Sequence, residues 1–219
     1  MLDHTGPGLV LRRTRHMEQD VRLTLFLREV GKIQILAKGG LKATNRLKAL
    51  QDPLTEAEYH VLLAPQGIHG RLIGGKLIAA PYLFSRNWEN FSMASKCCEV
   101  VDCLVPFRAP SSDVYDILHA TLQRLATESL SAHHWIQFNL KLLNALGYGE
   151  LTEDVLKLLQ PDEFNRFREG AADEESEETW QTVSSSSLNR CQAFLEARLN
   201  ALLPWPLKSG VMESDEARV

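Results

Sequence analysis

Two strands and the turn that joins them can be read from residues 21–37, VRLTLFLREVGKIQILA. Apolar side chains alternate with others in the first half, and each step along a strand moves a side chain to the opposite face. Gly31 can adopt the positive φ of a tight turn, and apolar residues return at every second position after it. The stretch predicts a β-hairpin with one apolar face, formed by Val21, Leu23, Leu25, Leu27, Ile33, Ile35 and Ala37.

The same alternation extends to both sides of this hairpin. Residues 8–12 are interpreted as an earlier strand, and residues 59–63 and 68–79 as two later ones. Five short strands within about eighty residues are typical of a small Greek-key barrel such as an OB-fold. We expect the aromatic residues of this barrel, chiefly Phe26 and Tyr59, to pack in a core rather than to stack on bases.

Helices are predicted beyond Pro81, where apolar residues recur every three or four positions instead of every two. The predicted helices cover residues 87–105, a segment that starts at the capping signal Ser111-Ser112-Asp113, residues 134–146, residues 153–168 with an interruption near Pro161, and residues 188–203. Residues 169–187 are rich in acid and serine, which predicts a mobile insert or linker. We also expect a frayed end over residues 213–219.

The predicted fold class is therefore α+β, with two domains and a tail. A five-stranded OB-fold barrel is assigned to residues 1–80, an all-α helical domain with the acidic insert to residues 81–210, and a disordered tail to residues 211–219. The sequence has no apolar run near the ~18 residues of a membrane helix and no signal peptide is recognised, so we expect a soluble, intracellular protein.

Charge is distributed unevenly along the chain. The net charge is −4, yet residues 1–86 carry 13 Lys and Arg against 7 Asp and Glu, whereas residues 87–219 carry 11 against 21. Such asymmetry indicates a nucleic-acid-binding face in the first half, although chance clustering and a solvated surface are blander explanations. The candidate phosphate-binding residues are Arg12, Arg13, Arg15, Arg22, Arg28, Lys32, Lys38, Lys42, Arg46 and Lys48.

Lys38 is the strongest single candidate among these cations. The adjacent glycines, Gly39 and Gly40, let the backbone approach a phosphate while the ammonium group supplies the charge. Neither this loop nor residues 70–76 end in the Gly-Lys-Ser/Thr sequence of a Walker loop, so ATP use is not implied.

Catalytic and metal-binding patterns are not recognised in the sequence. The cysteines, Cys97, Cys98, Cys103 and Cys191, contain no C-x-x-C pair, and core thiols are the expected outcome. His133 and His134 would point roughly 100° apart on a helix with no third ligand, so a surface pair at a helix start is preferred to a metal site. Ser111 and Ser112 are interpreted as caps rather than nucleophiles. We therefore expect no enzyme activity, no cofactor and no metal.

Several segments, taken in order, resemble the RecO family of bacterial DNA repair and recombination proteins. These segments are the strand Gly8–Arg12, residues 25–32 (LFLREVGK), the loop Ala37-Lys38-Gly39-Gly40, Leu50 and Pro53-Leu54 as the start of the next strand, residues 138–149 (FNLKLLNALGYG) and Leu207-Lys208-Ser209. Many family members carry a four-cysteine zinc site after the Gly-Tyr-Gly turn. Here only Cys191 follows Gly149, so zinc is not expected.

The resemblance implies a mediator of DNA repair and recombination. Such a protein binds single- and double-stranded DNA, promotes strand annealing and helps load RecA onto protein-coated single strands in the RecF pathway, without ATP. The implied partners are RecR, the C-terminal tail of single-strand DNA-binding protein and, indirectly, RecA, in a cytoplasmic, nucleoid-associated setting. A protein-interaction adaptor or an RNA-binding OB-fold protein is the alternative.

Arg124 and Lys141 are the candidate cations for that acidic, apolar tail, which needs an apolar groove as well as charge. The predicted helices that carry them would offer apolar faces through Leu118, Leu122, Leu125, Leu142 and Leu143. Ordinary exposed positions on amphipathic helices would show the same pattern.

Overall fold

The computed structural model describes residues 1–84, 87–128, 131–169, 177–204 and 207. The chain forms two compact units, Met1–Asp116 and Ile117–Pro206. The predicted division into domains stays a prediction.

Five strands form the sheet of the first unit: β1 (Leu2–His16), β2 (Asp20–Leu27), β3 (Gly31–Ala37), β4 (Glu56–Leu63) and β5 (His69–Ala79). They are ordered β1-β2-β3-β5-β4, and β4 pairs back to β1, so the sheet closes into a barrel. All pairs are antiparallel except β3 and β5, which run parallel over Gln34–Leu36 and His69–Arg71. A five-stranded sheet followed by helices confirms the predicted fold class.

The register of the hairpin places its alternating apolar residues on one face. Val21 pairs with Ala37, Leu23 with Ile35 and Leu25 with Ile33, and all of them are buried in the barrel core. Tyr59 lies in the same core, and its hydroxyl donates a hydrogen bond to the carbonyl oxygen of Leu50 at 3.0 Å.

Phe26 is also buried, but on the outer face of the sheet. Tyr115 covers it, with 5.8 Å between the ring centroids. The expectation that Phe26 and Tyr59 serve packing is confirmed for both. Tyr59 packs inside the barrel, and Phe26 packs between the sheet and Tyr115.

The connection between β3 and β4 differs from the prediction. Lys48–Leu50 form a short 3-10 turn, Leu54 has a φ of 66°, and β4 begins at Glu56. A left-handed residue interrupts an extended backbone, so the expected strand start at Leu50 and Pro53-Leu54 is wrong.

Seven helices and a 3-10 turn follow the sheet within the described residues. The turn is Pro81–Phe84, and the helices are α1 (Trp88–Leu104), α2 (Ser112–Thr127), α3 (Ala132–Ala145), α4 (Glu150–Leu156), α5 (Pro161–Glu169), α6 (Glu177–Gln181) and α7 (Ser185–Leu202). The predicted interruption near Pro161 is the break between α4 and α5, where proline occupies a first helical position that needs no backbone N–H. None of the helices that the structure describes is long and apolar enough to cross a membrane.

The acidic, serine-rich segment is partly folded, so the prediction of a mobile insert is wrong over residues 177–187. Trp180 is buried and packs edge-on against Phe167, with ring centroids 4.8 Å apart. The serines cap α7, since the Ser184 hydroxyl accepts a hydrogen bond from the backbone N–H of Ser187. Polar side chains pack here because their hydrogen bonds are satisfied locally. Residues 170–176 and the predicted tail, residues 213–219, lie outside the described residues.

Buried Glu163 is the centre of this serine cluster. Its carboxylate accepts hydrogen bonds from the Ser187 hydroxyl (2.6 Å), the Ser184 backbone N–H (2.8 Å) and the Gln160 backbone N–H (2.9 Å). Burial by itself would raise the pKa of Glu163, but these hydrogen bonds outweigh it and lower the pKa to about 2. A single carboxylate therefore ties α5 to the start of α7.

Candidate nucleic-acid interface

The β1–β2 turn and the loop that follows β3 meet at one end of the barrel. The backbone N–H of Leu41 donates to the carbonyl oxygen of Gln19 at 2.9 Å, and that of Gly39 donates to the Asp20 carboxylate at 2.7 Å. The basic side chains of these two segments therefore share one end of the barrel. We call this surface the basic end, formed by Arg15, Arg22, Lys38, Lys42, Arg46 and Lys48, all of which are exposed.

The loop of the basic end has a fixed backbone. Gly39 adopts a φ of +61°, and a Cβ on Gly40 would lie only 2.8 Å from both Val21 and the Gln51 side chain. Asn45 holds the turn from within, because its side-chain amide donates to the Gly39 carbonyl oxygen at 2.8 Å. The two glycines after Lys38 thus allow the loop backbone to turn and to pack closely against Val21 and Gln51. This packing fixes the position of the Lys38 backbone without a ligand.

The six cations of the basic end form no ion pair within the described part of the chain. Arg15 donates to the backbone oxygen of Glu18 at 3.3 Å, and Arg22 contacts the His16 ring at 3.0 Å. Asp20 is a nearby carboxylate, and it accepts the Gly39 N–H. Cations without a carboxylate partner have no internal ion pair to break when they contact phosphate.

Three other predicted cations are already paired with carboxylates. Arg13 binds Asp52 at 2.9 Å, Arg12 binds Asp102 at 3.0 Å, and Arg28 binds Asp116 through two hydrogen bonds of 2.6 and 2.8 Å. The partners of Arg12 and Arg28 come from α1 and α2. Arg12 and Arg28 remain about half exposed and Arg13 is 30% exposed, so all three belong to the edge of the candidate surface rather than to the basic end.

Lys32 is not a surface residue, so its assignment to the interface is wrong. Its side chain is 4% exposed, its ammonium group lies 3.3 Å from the Asp102 carboxylate and bonds to the Asp102 backbone oxygen, and the Phe107 ring is 4.5 Å away. Burial lowers the pKa of Lys32, although Asp102 opposes that effect. Lys32 pairs with Phe26 on the outer face of the sheet, and α1 and the segment after it cover that face.

Arg124 and Lys141 lie on α2 and α3 of the second unit. Arg124 contacts Glu128 and the side-chain oxygen of Gln137, both at 3.4 Å, and Lys141 is half-buried. The leucines expected to form an open apolar face are buried instead, at 0–8% exposure. That part of the prediction is wrong because the helices use these faces for their own packing, whereas the role of the two cations stays a prediction.

A separate open groove of about 480 Å³ lies elsewhere in the same unit. The turn after α3, the helix α4 and the end of α7 line it, and the lining residues include Tyr148, Glu150, Leu151, Asp154, Arg198 and Leu202. It offers a concave, partly apolar surface of the kind that short peptides occupy.

His133 and His134 are buried, so the expectation of a surface pair is wrong. The backbone N–H of Ser131 donates to the His134 ring at 3.0 Å, and its hydroxyl contacts the His133 ring at 2.6 Å. The His134 ring therefore caps the start of α3, and the His133 ring holds the side chain of the capping serine. Within the described residues no three His, Cys, Asp or Glu side chains gather as a metal site would require, and the expected independence from metal stays a prediction.

The cysteines match the expectation of core thiols. All four are free, and Cys97, Cys98 and Cys191 are buried. Burial raises the pKa of Cys191 to about 11, which leaves it an inert thiol at neutral pH.

Sequence reasoning missed two exposed aromatic residues that follow the barrel. Tyr82 is 70% exposed and Trp88, within the predicted helix over residues 87–105, is 64% exposed. A sequence feature that could have drawn attention to this region is the complete lack of Asp and Glu over residues 59–88.

Comparison with known proteins agrees with the architecture. The family model described as Recombination protein O N terminal matches residues 1–78, and that described as Recombination protein O C terminal matches residues 85–155. Relatives named DNA repair protein RecO include those of Clostridium perfringens strain 13, 30% identical over 143 residues, and Listeria monocytogenes serotype 4b strain CLIP80459, 28% identical over 141 residues. These alignments cover 65% and 64% of this chain but 57% and 54% of the relatives, so the chain spans little more than half of their length. With an N-terminal and a C-terminal domain model matched in order on the expected sheet and helices, the chain belongs to the RecO family.

Proposed function

We propose that the protein takes part in DNA repair and recombination by binding DNA at the basic end of its barrel. The observation that carries the proposal is a set of six exposed cations, held on a fixed loop and hairpin, that have no carboxylate partner within the described residues. Family membership supports the same role.

Counterion release is the physical source of the binding energy. If all six cations contact phosphates of a single strand, the logarithm of the binding constant should fall with the logarithm of salt concentration with a slope of about −4. Affinity of this kind depends weakly on sequence, which suits a protein that must bind DNA wherever damage occurs.

Neutralised phosphates also provide a basis for strand annealing. Two strands repel each other through their backbones, and a protein that covers phosphates on one of them lowers this repulsion. The proposed activity forms and breaks no covalent bond, so it needs neither ATP nor a catalytic residue. Binding to both single- and double-stranded DNA follows, because the phosphate backbone is common to both.

The proposed partners follow from family membership. RecR and the C-terminal tail of single-strand DNA-binding protein would bind directly, with Arg124 and Lys141 as candidate contacts for the tail, and RecA loading onto protein-coated single strands would be the indirect outcome. The protein would act at the nucleoid in the cytoplasm.

A charge-reversal experiment tests the basic end. Arg22→Glu combined with Lys38→Glu should weaken binding to a single-stranded oligonucleotide at least tenfold and make the salt slope shallower by about 1.4, in fluorescence anisotropy titrations at several salt concentrations. Lys157→Glu with Arg166→Glu is the matched control, since it changes net charge equally at exposed positions of the helical unit.

The proposal fails if the Arg22 and Lys38 variant folds normally and keeps both its affinity and its salt slope. Titration with RNA of the same sequence distinguishes the alternative of an RNA-binding protein, because that function predicts a clear preference for the RNA strand.

A further inference from the structure

Exposed apolar side chains are concentrated in a short segment that follows the middle of β5. Among large apolar residues of the described chain, those exposed by 39–70% include Ile73, Leu77, Ile78, Tyr82, Leu83 and Trp88. Isolated exposed apolar residues are ordinary, but these six fall within sixteen consecutive positions, and such a concentration is typical of interaction sites. We call Leu77, Ile78, Tyr82, Leu83 and Trp88 the aromatic strip.

Trp88 is held in place although it is exposed. The Asn87 side chain caps α1 and fixes its first turn, and the Trp88 ring stacks on Phe91 with 5.5 Å between centroids and 29° between planes. One face of the indole is therefore supported by the protein, while the side chain as a whole is 64% exposed.

Tyr82 lies on the Pro81–Phe84 turn, which is anchored at its end by buried Phe84. The backbone N–H of Leu83 closes the turn by donating to the Ala80 carbonyl oxygen at 3.1 Å. Tyr82 and Trp88 have few rotatable bonds, so presenting their rings on anchored backbone costs little conformational entropy when a ligand binds.

The aromatic strip is continuous with the basic end through β5. β5 passes the basic end at Arg71, which pairs with Leu36, two residues before Lys38. From Arg71 the strand continues eight residues to Ala79, about 26 Å, and its exposed side chains include Lys76. A polymer that contacts the basic end can follow this strand to the strip.

The open edge of β5 leaves room along this path. β3 pairs with β5 only as far as Arg71, and no described strand pairs with the following residues on that side. Gly74 is open as well, since a Cβ built there meets no atom within 4 Å.

Charge favours a polyanion as the occupant of this surface. β5 adds Arg71 and Lys76 to the six cations of the basic end, against Glu58, which lies opposite Lys76 in the register, and Glu89, which follows Trp88. The cations outnumber the acids along this path. A second copy paired through the same strand edge would bring its own Lys76 towards this one, which disfavours self-association. Single-stranded nucleic acid combines negative charge with planar apolar bases, so it satisfies both the cations and the exposed rings.

We propose that Tyr82 and Trp88 form a base-stacking platform for unpaired nucleotides of a strand whose phosphates lie on the basic end. This inference rests on the proposed function and adds a preference for single strands to it. Bases in a duplex are stacked on each other, so the platform contributes only where a strand is unpaired.

Alanine substitutions test the platform. Tyr82→Ala and Trp88→Ala should each weaken binding to a single-stranded oligonucleotide by about 5- to 150-fold, the range for loss of one base–aromatic stack. Affinity for a duplex of the same sequence, and the salt slope for both, should stay as in the wild type because no phosphate contact is lost. Tyr148→Ala, at an exposed tyrosine of the other unit, is the matched control.

Fluorescence provides a second readout that does not depend on the alanine variants folding. The fourth tryptophan, Trp205, is first replaced by phenylalanine. Trp135 and Trp180 are 1% exposed, so quenching by a bound single strand should then come largely from Trp88. Trp88→Phe should keep most of the affinity, because a ring remains on Phe91, but lose most of the quenching.

The platform is overturned if the folded Tyr82 and Trp88 variants keep their single-strand affinity, or if they lose affinity for single strand and duplex equally. It is also overturned if the variants sediment differently from the wild type but bind DNA unchanged, which would indicate a protein interface. If the wild type binds no nucleic acid, the proposed function itself fails. If reversal of Arg22 and Lys38 weakens binding while Tyr82→Ala and Trp88→Ala do not, only the platform is overturned.

Discussion

Replacement of Glu163 by glutamine will measure how strongly one carboxylate holds the helical unit together. Glu163 accepts three hydrogen bonds, two through one oxygen and one through the other. Glutamine has a single acceptor oxygen, and its NH2 group replaces the other oxygen. In one orientation the NH2 group faces the Ser184 N–H, and in the other it faces the Ser187 hydroxyl and the Gln160 N–H, so at least one donor loses its acceptor. Because hydrogen bonds to charged groups contribute about 1.5–3 kcal/mol each, we expect the free energy of unfolding to fall by about 3 kcal/mol at pH 7.

The pH dependence is a second readout of the same hydrogen bonds. The folded pKa of Glu163 is about 2, against about 4.3 for an unperturbed glutamate, and each unit corresponds to about 1.4 kcal/mol. Because the pKa is lower in the folded than in the unfolded state, the ionised carboxylate stabilises the fold. This contribution, about 3 kcal/mol, is fully present above the unfolded pKa and is lost as pH falls from about 5 towards 2. The wild type should lose it over that window, whereas Glu163→Gln should not.

Urea unfolding at pH 7 and pH 3 is the assay, followed by tryptophan fluorescence, to which Trp180 contributes from its packing on Phe167. Asp162→Asn, at an exposed neighbour in the same first helical turn, is the control and should change stability by only a few tenths of a kcal/mol. If Glu163→Gln unfolds at the wild-type urea concentration at pH 7, or loses as much stability as the wild type on acidification, the carboxylate does not hold these helices.

Three further predictions address charge, metal and partner binding. Asp116→Asn should release Arg28, tighten single-strand binding a few-fold and make the salt slope steeper by about 0.7. Asp113→Asn, on the same helix, is the control and should change neither quantity. Equal effects of the two substitutions would show that only net charge matters. Treatment with a chelator should leave the thermal unfolding midpoint unchanged, and elemental analysis should find no stoichiometric zinc; unfolding upon zinc removal would contradict this. Calorimetry with the tail peptide of single-strand DNA-binding protein should detect binding that Arg124→Ala with Lys141→Ala weakens, and undiminished binding would remove these residues from the site.

Local periodicity was sufficient to predict the barrel hairpin and most helices. Residues 21–37 could be interpreted alone because alternation, a glycine turn and β-branched residues all favour the same structure. The serine cluster could not be predicted, since Ser184 and Ser187 bond to Glu163 more than twenty residues away. Polar composition indicated a linker, and only the three-dimensional arrangement shows that these polar groups satisfy each other.

The candidate site was predictable in composition but not in its division into paired and unpaired cations. Arg28 and Lys32 find their carboxylates 88 and 70 residues along the chain, on helices whose position the strand pattern does not encode.

That division matters for the proposed function, because a paired cation must give up its internal partner before it can bind phosphate, whereas Lys38 and Lys42 need only release counterions. The acidic side chains of α1 and α2 therefore do more than make the second half of the chain negative. By pairing with Arg12, Arg28 and Lys32 they leave the barrel with one strongly basic end, and a strand that binds there is directed along β5 towards the exposed rings of Tyr82 and Trp88.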